Sequence, residues 1–236
     1  MSGLRPGRPR RVQRRRPGDT PEEEILDAAA ELFITHGFAG TSTRMIATAV
    51  GIQQSTIYHY FSTKEEILDN LLTRTVIAPA ALAESLMRQP ESAAVRLYAM
   101  VRYDCRQLLT GQWNLGALFN LPESNRTKFP RFDERREYLR ECYRTLALET
   151  RRESSSSDSA RWSPTEVDIA ATLPFHFVEA AIQIRSDNPG RVERIGADDL
   201  ATGIADAALR ALGRTGDLTP IRTAAARVIR QIEQPD

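Results

Sequence analysis

The sequence predicts an all-α protein built from two helical parts. Apolar residues recur at helical spacing almost throughout the chain, and runs of β-branched residues between turn signals are scarce. Hydrophobic residues make up 41% of the 236 residues, which is enough to build a substantial core. No run of about 18 apolar residues suggests a membrane span. We therefore expect a globular protein that works in the cytoplasm.

The formal net charge of +1 conceals a basic N-terminal segment. Residues 1–16 contain seven Arg and no acidic residue, whereas acidic residues crowd into residues 19–31. We interpret residues 1–19 as a basic arm without the apolar stretch of a signal peptide. The two Cys and three His are too few for a disulfide framework or a set of metal ligands, so we predict no metal and no cofactor.

The first two helices are marked by their ends. Thr20 is a suitable N-cap, and Pro21 and three Glu follow it in the first turn. Gly37 is predicted to end this helix. A second, short helix is predicted from Ser42 or Thr43 to Gly51, a residue that can take the left-handed conformation of a helix end.

A third short helix is predicted only about three residues later, over Ser55–Phe61. Its apolar residues Ile57 and Phe61 point inward, which leaves polar side chains outward. Ser62 or Thr63 then caps a fourth helix that begins at Lys64. Pro79 is predicted to end or kink that helix.

The remainder of the chain predicts a larger helical body. Apolar faces recur over 94–108 and 138–146, and further helices are predicted over 164–186, over 197–212 and from Thr219. Asn188, Pro189 and Gly190 predict a turn. Four consecutive Ser within residues 153–163 predict a mobile loop.

Residues 42–61 carry the pattern of a helix-turn-helix, because two short helices are joined by a tight Gly-containing turn and supported by a preceding helix. The second helix of such a motif enters the major groove of DNA. Gln amides can pair with adenine edges there, and Ser or Thr can read either base type. The alternative is a short solvated helix with an aromatic edge.

The segment TSTRMIATAVGIQQSTIYHYFSTKEEIL, residues 41–68, resembles the TetR family of bacterial transcriptional regulators. The resemblance rests on the turn glycine, the Tyr-x-Tyr-Phe end of the third helix and the Lys-Glu start of the fourth, and it covers roughly residues 20–75. It implies a three-helix DNA-binding domain over residues 20–79. Residues 80–236 would then form a larger helical domain for ligand binding and dimerisation.

Carried over to this sequence, the resemblance implies that Thr43 and Lys64 contact phosphates. Base-edge and phosphate contacts are implied for Arg44, Gln53, Gln54, Ser55, Thr56, Tyr58, His59 and Tyr60. Many family members carry Gly at position 55 and Lys at position 54, so recognition here would rely more on amide hydrogen bonds than on charge. In the arm, Arg8, Arg10 and Arg11 would either enter a minor groove or supply nonspecific attraction to phosphates.

The resemblance further implies a homodimer that binds palindromic double-stranded operator DNA and is released by a small, mainly apolar effector. Helices 164–186 and 197–212 would pair with their symmetry mates. The candidate pocket residues are Tyr103, Trp113, Phe119, Phe175 and His176, of which His176 is expected to be buried. Arg102 and Arg106 would meet an anionic group or form a solvated face.

Two other functions remain open at this level. The chain could be a DNA-binding regulator or activator that senses no small molecule. It could also be an all-helical enzyme, but the sequence contains no Ser/His/acid grouping and no phosphate-binding Gly loop. We therefore predict that it is not an enzyme.

Overall fold

A computed structural model of the chain describes residues 16–120, 129–154 and 162–234. Within these residues the secondary structure is helical and contains no strand, which confirms the predicted fold class. The α-helices are α1 (Pro21–Gly40), α2 (Thr43–Val50), α3 (Gln54–Ile57), α4 (Lys64–Met87), α5 (Ala93–Thr110), α6 (Pro130–Ser154), α7 (Pro164–Asp187), α8 (Pro189–Ile195), α9 (Ala197–Ala211) and α10 (Thr219–Glu233). A 3₁₀ helix, Leu115–Asn120, lies between α5 and α6.

The contacts divide the chain into two compact units, Met1–Ile67 and Leu68–Asp236. Helix α4 begins in the first unit and continues through the start of the second. The boundary predicted after residue 79 therefore falls inside α4 and within the second unit.

Helix α1 begins with the predicted cap. Thr20 Oγ1 accepts a hydrogen bond from the Glu23 backbone N–H at 3.2 Å, and the Glu23 carboxylate accepts one from the Thr20 N–H at 3.2 Å. This reciprocal pair satisfies two backbone donors that the first turn of a helix leaves free. Gly37 breaks the regular helix, with φ 75° and ψ 162°, but a further turn extends to Gly40. The prediction that the regular helix ends at Gly37 is therefore confirmed, and the turn that extends to Gly40 lies beyond the kink.

Pro79 lies inside α4 and does not end it, so that part of the prediction is wrong. A proline removes the N–H that would bond to the carbonyl four residues earlier, here that of Thr75. Gln107 on α5 supplies a replacement, because its Nε2 donates to the Thr75 carbonyl oxygen at 3.1 Å. This contact from a distant residue satisfies the freed carbonyl.

The second unit is built around α5, which packs against α6, α7, α9 and α10. The predicted helices over 164–186, 197–212 and from Thr219 correspond to α7, α9 and α10. Two local predictions are corrected: Pro189 begins the short helix α8 rather than a simple turn, and α6 continues to Ser154, into the predicted loop. The rest of that loop, residues 155–161, lies outside the described residues.

Helix α7 is unusually apolar for its exposure. By length and composition it is the one helix in the described ranges that is apolar enough to cross a membrane, with mean hydropathy 1.2 over its most apolar window. Only 33% of that window is buried, and Ile169 is 57% exposed. An apolar helix that is mainly uncovered in one copy of the chain indicates a surface that packs against something else.

Candidate nucleic-acid interface and ligand cavity

Helix α2 and the turn that follows it have local causes in the sequence. The Ser42 hydroxyl accepts the Met45 N–H at 3.2 Å and so caps the helix. At the other end Gly51 has φ 78°, and its N–H donates to the Ala47 carbonyl at 2.9 Å. A side chain at position 51 would be strained in this left-handed conformation. The glycine therefore sets the tight turn between α2 and α3.

Helix α3 is shorter than predicted and begins one residue earlier. The regular helix covers Gln54–Ile57, and residues 58–60 form a turn rather than a continuous helix. The Phe61 N–H still donates to the Ile57 carbonyl at 2.9 Å. Ile57 and Phe61 are 0% and 2% exposed, as the predicted inward positions require. These two side chains hold α3 on the core.

Three of the predicted DNA-contacting side chains form a hydrogen-bonded cluster on the surface. Gln54 Nε2 donates to Thr43 Oγ1 at 2.8 Å, and the Tyr58 hydroxyl lies 3.3 Å from the same oxygen. The Thr43–Gln54–Tyr58 cluster therefore joins the start of α2 to both ends of α3. Because the three side chains restrain one another, their polar groups are held in place before any partner binds.

The other predicted contact residues of α2 and α3 lie around this cluster. Thr56 is half-buried, and Tyr60 is 41% exposed. The remaining exposed members of the predicted set are Arg44, Gln53, Ser55 and His59. The helix-turn-helix thus presents a polar surface with two tyrosines. Contact with DNA remains a prediction for each of these residues.

Lys64 has a role within the first unit that the sequence does not reveal. Its Nζ donates to the carbonyl oxygens of Phe38 at 2.6 Å and Thr41 at 2.7 Å, and it lies 4.1 Å from the centroid of the Phe38 ring. The ammonium therefore fastens the end of α1 to the start of α4. Two of its three donors are used in this way, and its predicted contact with a phosphate remains a prediction.

The predicted arm is described only at its end. Arg8, Arg10 and Arg11 lie outside the described residues. Arg16 forms ion pairs with Asp27, at 3.3 Å, and with Glu31. The last of the seven arginines is therefore attached to α1.

The second unit contains a cavity of about 50 Å³ among α4, α5, α6, α7 and the 3₁₀ helix. Its apolar wall includes Phe119, Phe132, Leu139, Phe175, Val178 and Ile182. Three charged residues also line it, namely Asp104, Arg136 and Glu179. We call this space the central cavity.

The charged residues of the central cavity are held by specific contacts. The Tyr143 hydroxyl donates to Asp104 Oδ2 at 3.2 Å, and Asp104 is only 4% exposed. Burial raises the pKa of the Asp104 carboxyl to about 7, the Tyr143 hydrogen bond lowers it and the charge of Glu179 raises it further. Arg136 pairs with Glu179, and its guanidinium carbon lies 4.5 Å from the Phe119 ring centroid and 5.0 Å from that of Phe175.

Two of the five predicted pocket residues, Phe119 and Phe175, line the central cavity. Tyr103 instead lines a surface groove, and Trp113 accepts a hydrogen bond from Arg185 through its carbonyl at 3.3 Å. His176 is exposed, and its Nδ1 lies 2.9 Å from Glu179 Oε2. The expectation that His176 is buried is wrong, because its position along α7 turns it toward solvent.

Asp104, Arg136 and Glu179 were missed from the sequence. One signal was present: Asp104 follows Leu97 and Val101 in the apolar stripe of α5, where an acidic residue interrupts the pattern. Arg136 and Glu179 gave no such signal. In the parts of the chain that the structure describes, no group of three or more His, Cys, Asp or Glu is placed to hold a metal ion.

Arg102 and Arg106 meet a charge of the chain itself. The Arg102 side chain donates to Asp198 Oδ1 at 2.9 Å and that of Arg106 at 3.1 Å. The anionic group considered from the sequence is therefore supplied by α9.

A capped helix pair with a fixed glycine turn and a polar outer surface, followed by a separate helical unit, defines a DNA-binding transcriptional regulator. A family sequence model described as bacterial regulatory proteins, tetR family, matches residues 25–71. The crystal structure of AmtR from Mycobacterium smegmatis is 44% identical, with a TM-score of 0.80, over 92% of this chain and 98% of that chain. The chain belongs to the TetR family.

Two further comparisons are more limited. Over 49 residues the chain is 45% identical to the HTH-type transcriptional repressor KstR2 of Rhodococcus jostii, a match that spans 21% of this chain and 24% of that protein. The transcriptional regulator FadR from Bacillus subtilis, solved in complex with stearoyl-CoA, is 21% identical with a TM-score of 0.58 over 80% of this chain and 96% of that chain. This second likeness shows the fold alone.

Proposed function

We propose that the protein is a homodimeric transcriptional repressor that acts in the cytoplasm and leaves its DNA operator when a small effector binds. The observation that carries this proposal is the Thr43–Gln54–Tyr58 cluster, which holds polar side chains on the outer face of a helix-turn-helix. The KstR2 relative is a transcriptional repressor by name, which supports repression rather than activation.

DNA reading would use two kinds of contact. The amide of Gln54 and its neighbour Gln53 suit adenine edges in the major groove. Backbone N–H groups at the start of α2, beside Thr43, suit a phosphate, because a helix N-terminus carries partial positive charge. Arg44 and His59 extend the same exposed surface. The seven arginines of residues 1–16 would add salt-dependent attraction.

Dimerisation would bring two such surfaces to one operator. One recognition helix reads only a few base pairs. Two protomers that place their helix-turn-helix motifs on half-sites about 10 base pairs apart therefore give useful specificity. The exposed apolar side of α7, including Ile169, supports a second copy of the chain as its cover. On α9, Gly203 has open space around it, which would allow a partner helix to approach closely. A palindromic operator follows from this two-fold arrangement.

The central cavity is the proposed effector site. Its lining includes residues of α4, the helix that begins in the first unit. At about 50 Å³ it has no room for a long acyl chain such as the one in the FadR complex, so the effector would be smaller. The effector would act by binding more tightly to the state that does not hold DNA, since only unequal affinity shifts an equilibrium.

Selection from genomic DNA tests this function. The full-length protein is incubated with fragments of its own chromosome at low salt, and retained fragments are sequenced and footprinted. We expect enrichment of a palindrome with two protected half-sites. Retention of no fragment, or protection without two-fold symmetry, would contradict the proposal. A purified protein that activates rather than blocks transcription from the retained promoter would contradict the repressor assignment.

A further inference from the structure

The charges around the central cavity bear on the chemistry of its ligand. Two carboxyl groups, Asp104 and Glu179, and one guanidinium, Arg136, line the same space. With both acids ionised the cavity carries a net negative charge. An anionic ligand would have to approach both carboxylates, whereas a cation would reduce their repulsion.

The protein already holds a cation at this place. The Arg136 guanidinium pairs with Glu179 and lies over the rings of Phe119 and Phe175, at 4.5 and 5.0 Å. Aromatic faces attract cations at such distances. The two rings and the carboxylate therefore form a cation site whose present occupant is the end of a long, flexible side chain from α6.

Asp104 is the acid that this internal cation does not neutralise. Within the described residues, Arg136 pairs with Glu179, and the side-chain donor to Asp104 is the uncharged hydroxyl of Tyr143. Burying an ionised carboxylate without a paired charge is costly, so the group either keeps its proton or gains a cation. A ligand that brings a positive group to Asp104 supplies what the cavity lacks.

Resting on the proposed function, we infer that the effector is a small organic cation, an alkylammonium or alkylguanidinium, bound between Asp104 and the Phe119 and Phe175 rings. The volume of about 50 Å³ admits only a few heavy atoms while Arg136 stays in place. A larger cation would take the position of the Arg136 guanidinium, whose side chain is 16% exposed and long enough to turn toward solvent.

Binding of such a cation is linked to a proton. The ionisable groups that face Asp104 are Tyr143 and Arg136 on α6, Glu179 on α7 and Cys105 on its own helix. Thr75 and Val76 line the cavity from α4 and do not ionise. A cation favours ionised Asp104, so binding below pH 7 must expel the proton. The affinity therefore increases as the pH rises toward 7, by at most about tenfold per pH unit, and levels off above it.

Calorimetric titration of the full-length protein at several pH values tests the inference. The cationic probes are ethylammonium and methylguanidinium chloride, the neutral probes of the same shape are ethanol and methylurea, and the anionic probe is propionate. We expect the cations alone to bind. Asp104→Asn keeps the size of the side chain and an acceptor for Tyr143, yet should weaken cation binding about tenfold or more and remove its pH dependence.

Two variants separate the site from general effects. Asp198→Asn removes an exposed carboxylate that pairs with Arg102 and Arg106 outside the cavity, and it should leave binding of the probes unchanged. Arg136→Ala empties the aromatic site and should tighten binding of methylguanidinium but not of methylurea. This gain cannot be explained by poor folding.

Operator release and probe binding together distinguish failure of the cationic effector from failure of the proposed function. Cation binding that Asp104→Asn abolishes and that releases the selected operator supports the inference. Cation binding without release of the operator overturns the cation as effector and leaves the DNA-binding part of the proposed function intact. Operator release by a neutral or anionic compound overturns the inference and leaves the proposed function intact. Binding of the neutral probes as tightly as the cations, or binding of no probe, also overturns the inference.

Discussion

The Asp69 carboxyl on α4 faces the backbone N–H of Phe132 in the first turn of α6, which lowers the pKa of that carboxyl against the larger increase that burial causes. A carboxylate at this position suits the partial positive charge of a helix N-terminus. The Phe132 ring lines the central cavity and packs against Phe119, with their centroids 5.5 Å apart. A ligand that moves Phe132 would therefore act on α4, the helix that begins in the first unit.

Replacing Asp69 with Ala should weaken the contact between α4 and the start of α6. We expect faster hydrogen exchange in the backbone amides at the start of α6, and a loss of about 1 kcal/mol in the free energy of unfolding, which is typical for removal of a helix cap. Hydrogen-exchange mass spectrometry measures the first effect and denaturant titration the second. Asp168→Ala, which removes the partner of Arg144 on the surface, serves as the control. Unchanged exchange at the start of α6 would show that Asp69 does not stabilise this contact.

The Asp104 carboxyl predicts a dependence of stability on pH. Its pKa is about 7 in the folded protein, against 3.8 for the ordinary group. Between these values the folded chain keeps a proton at Asp104 that the unfolded chain releases, so the contribution of Asp104 to stability falls as the pH rises from about 4 to about 7. Above that range the contribution of Asp104 is constant.

Asp104→Asn removes this titration. We expect the stability difference, wild type minus variant, to fall by a few kcal/mol at most from pH 5 to pH 8, since each pH unit contributes at most about 1.4 kcal/mol. Urea titrations at four pH values measure it. A difference that stays constant or grows with pH would show that the folded pKa is not raised.

Gly116 and Ile182 meet at the cavity wall. A Cβ atom on residue 116 would lie 2.6 Å from Ile182 Cδ1 and 2.7 Å from Cγ1. Gly116→Ala should therefore destabilise the second unit by about 1–3 kcal/mol through overpacking. The double variant with Ile182→Ala removes both clashing atoms and should be more stable than the sum of the single effects, as thermal unfolding of the four proteins would measure. Additive effects would refute the contact.

Ile204 on the half-buried side of α9 tests the dimer. Burying a new charge against a partner helix is unfavourable, so Ile204→Glu should give monomers that no longer hold the operator. Sedimentation velocity measures the mass. Ile77→Glu places the same charge on a 45% exposed residue of α4 and should remain dimeric. A dimeric Ile204→Glu protein would place the interface elsewhere.

Local signals in the sequence were sufficient to predict the helix caps and the tight turn of the first unit. Thr20, Ser42 and Gly51 act through neighbours within a few residues, and their predicted roles are confirmed. The predictions that were wrong involve contacts with residues distant in the sequence, or small errors in which side of a helix a residue occupies. Pro79 stays within α4 because Gln107 supplies a donor from α5, and no pattern around Pro79 contains that information.

The lining of the central cavity was harder to predict because it also depends on contacts between residues distant in the sequence. His176 was predicted to be buried, whereas it is exposed, because a small error in position around α7 moves a residue from the inner to the outer side. Its neighbour Phe175 does line the cavity. The pairing of Arg136 with Glu179 joins residues 43 positions apart. Such contacts depend on how α6 and α7 pack, which apolar periodicity alone does not determine.

Titration of the selected operator with a Gln54→Ala variant tests whether the surface of α2 and α3 contacts DNA bases. The surface of α2 and α3 is proposed to read bases, and each amide pair with a base contributes about 1–3 kcal/mol of discrimination. We expect the variant to lose about tenfold or more in affinity while its thermal stability and dimer mass match those of the wild type. Gln89→Ala, at a partly exposed residue just after α4, serves as the control. Equal operator affinity for Gln54→Ala and the wild type would contradict this expectation.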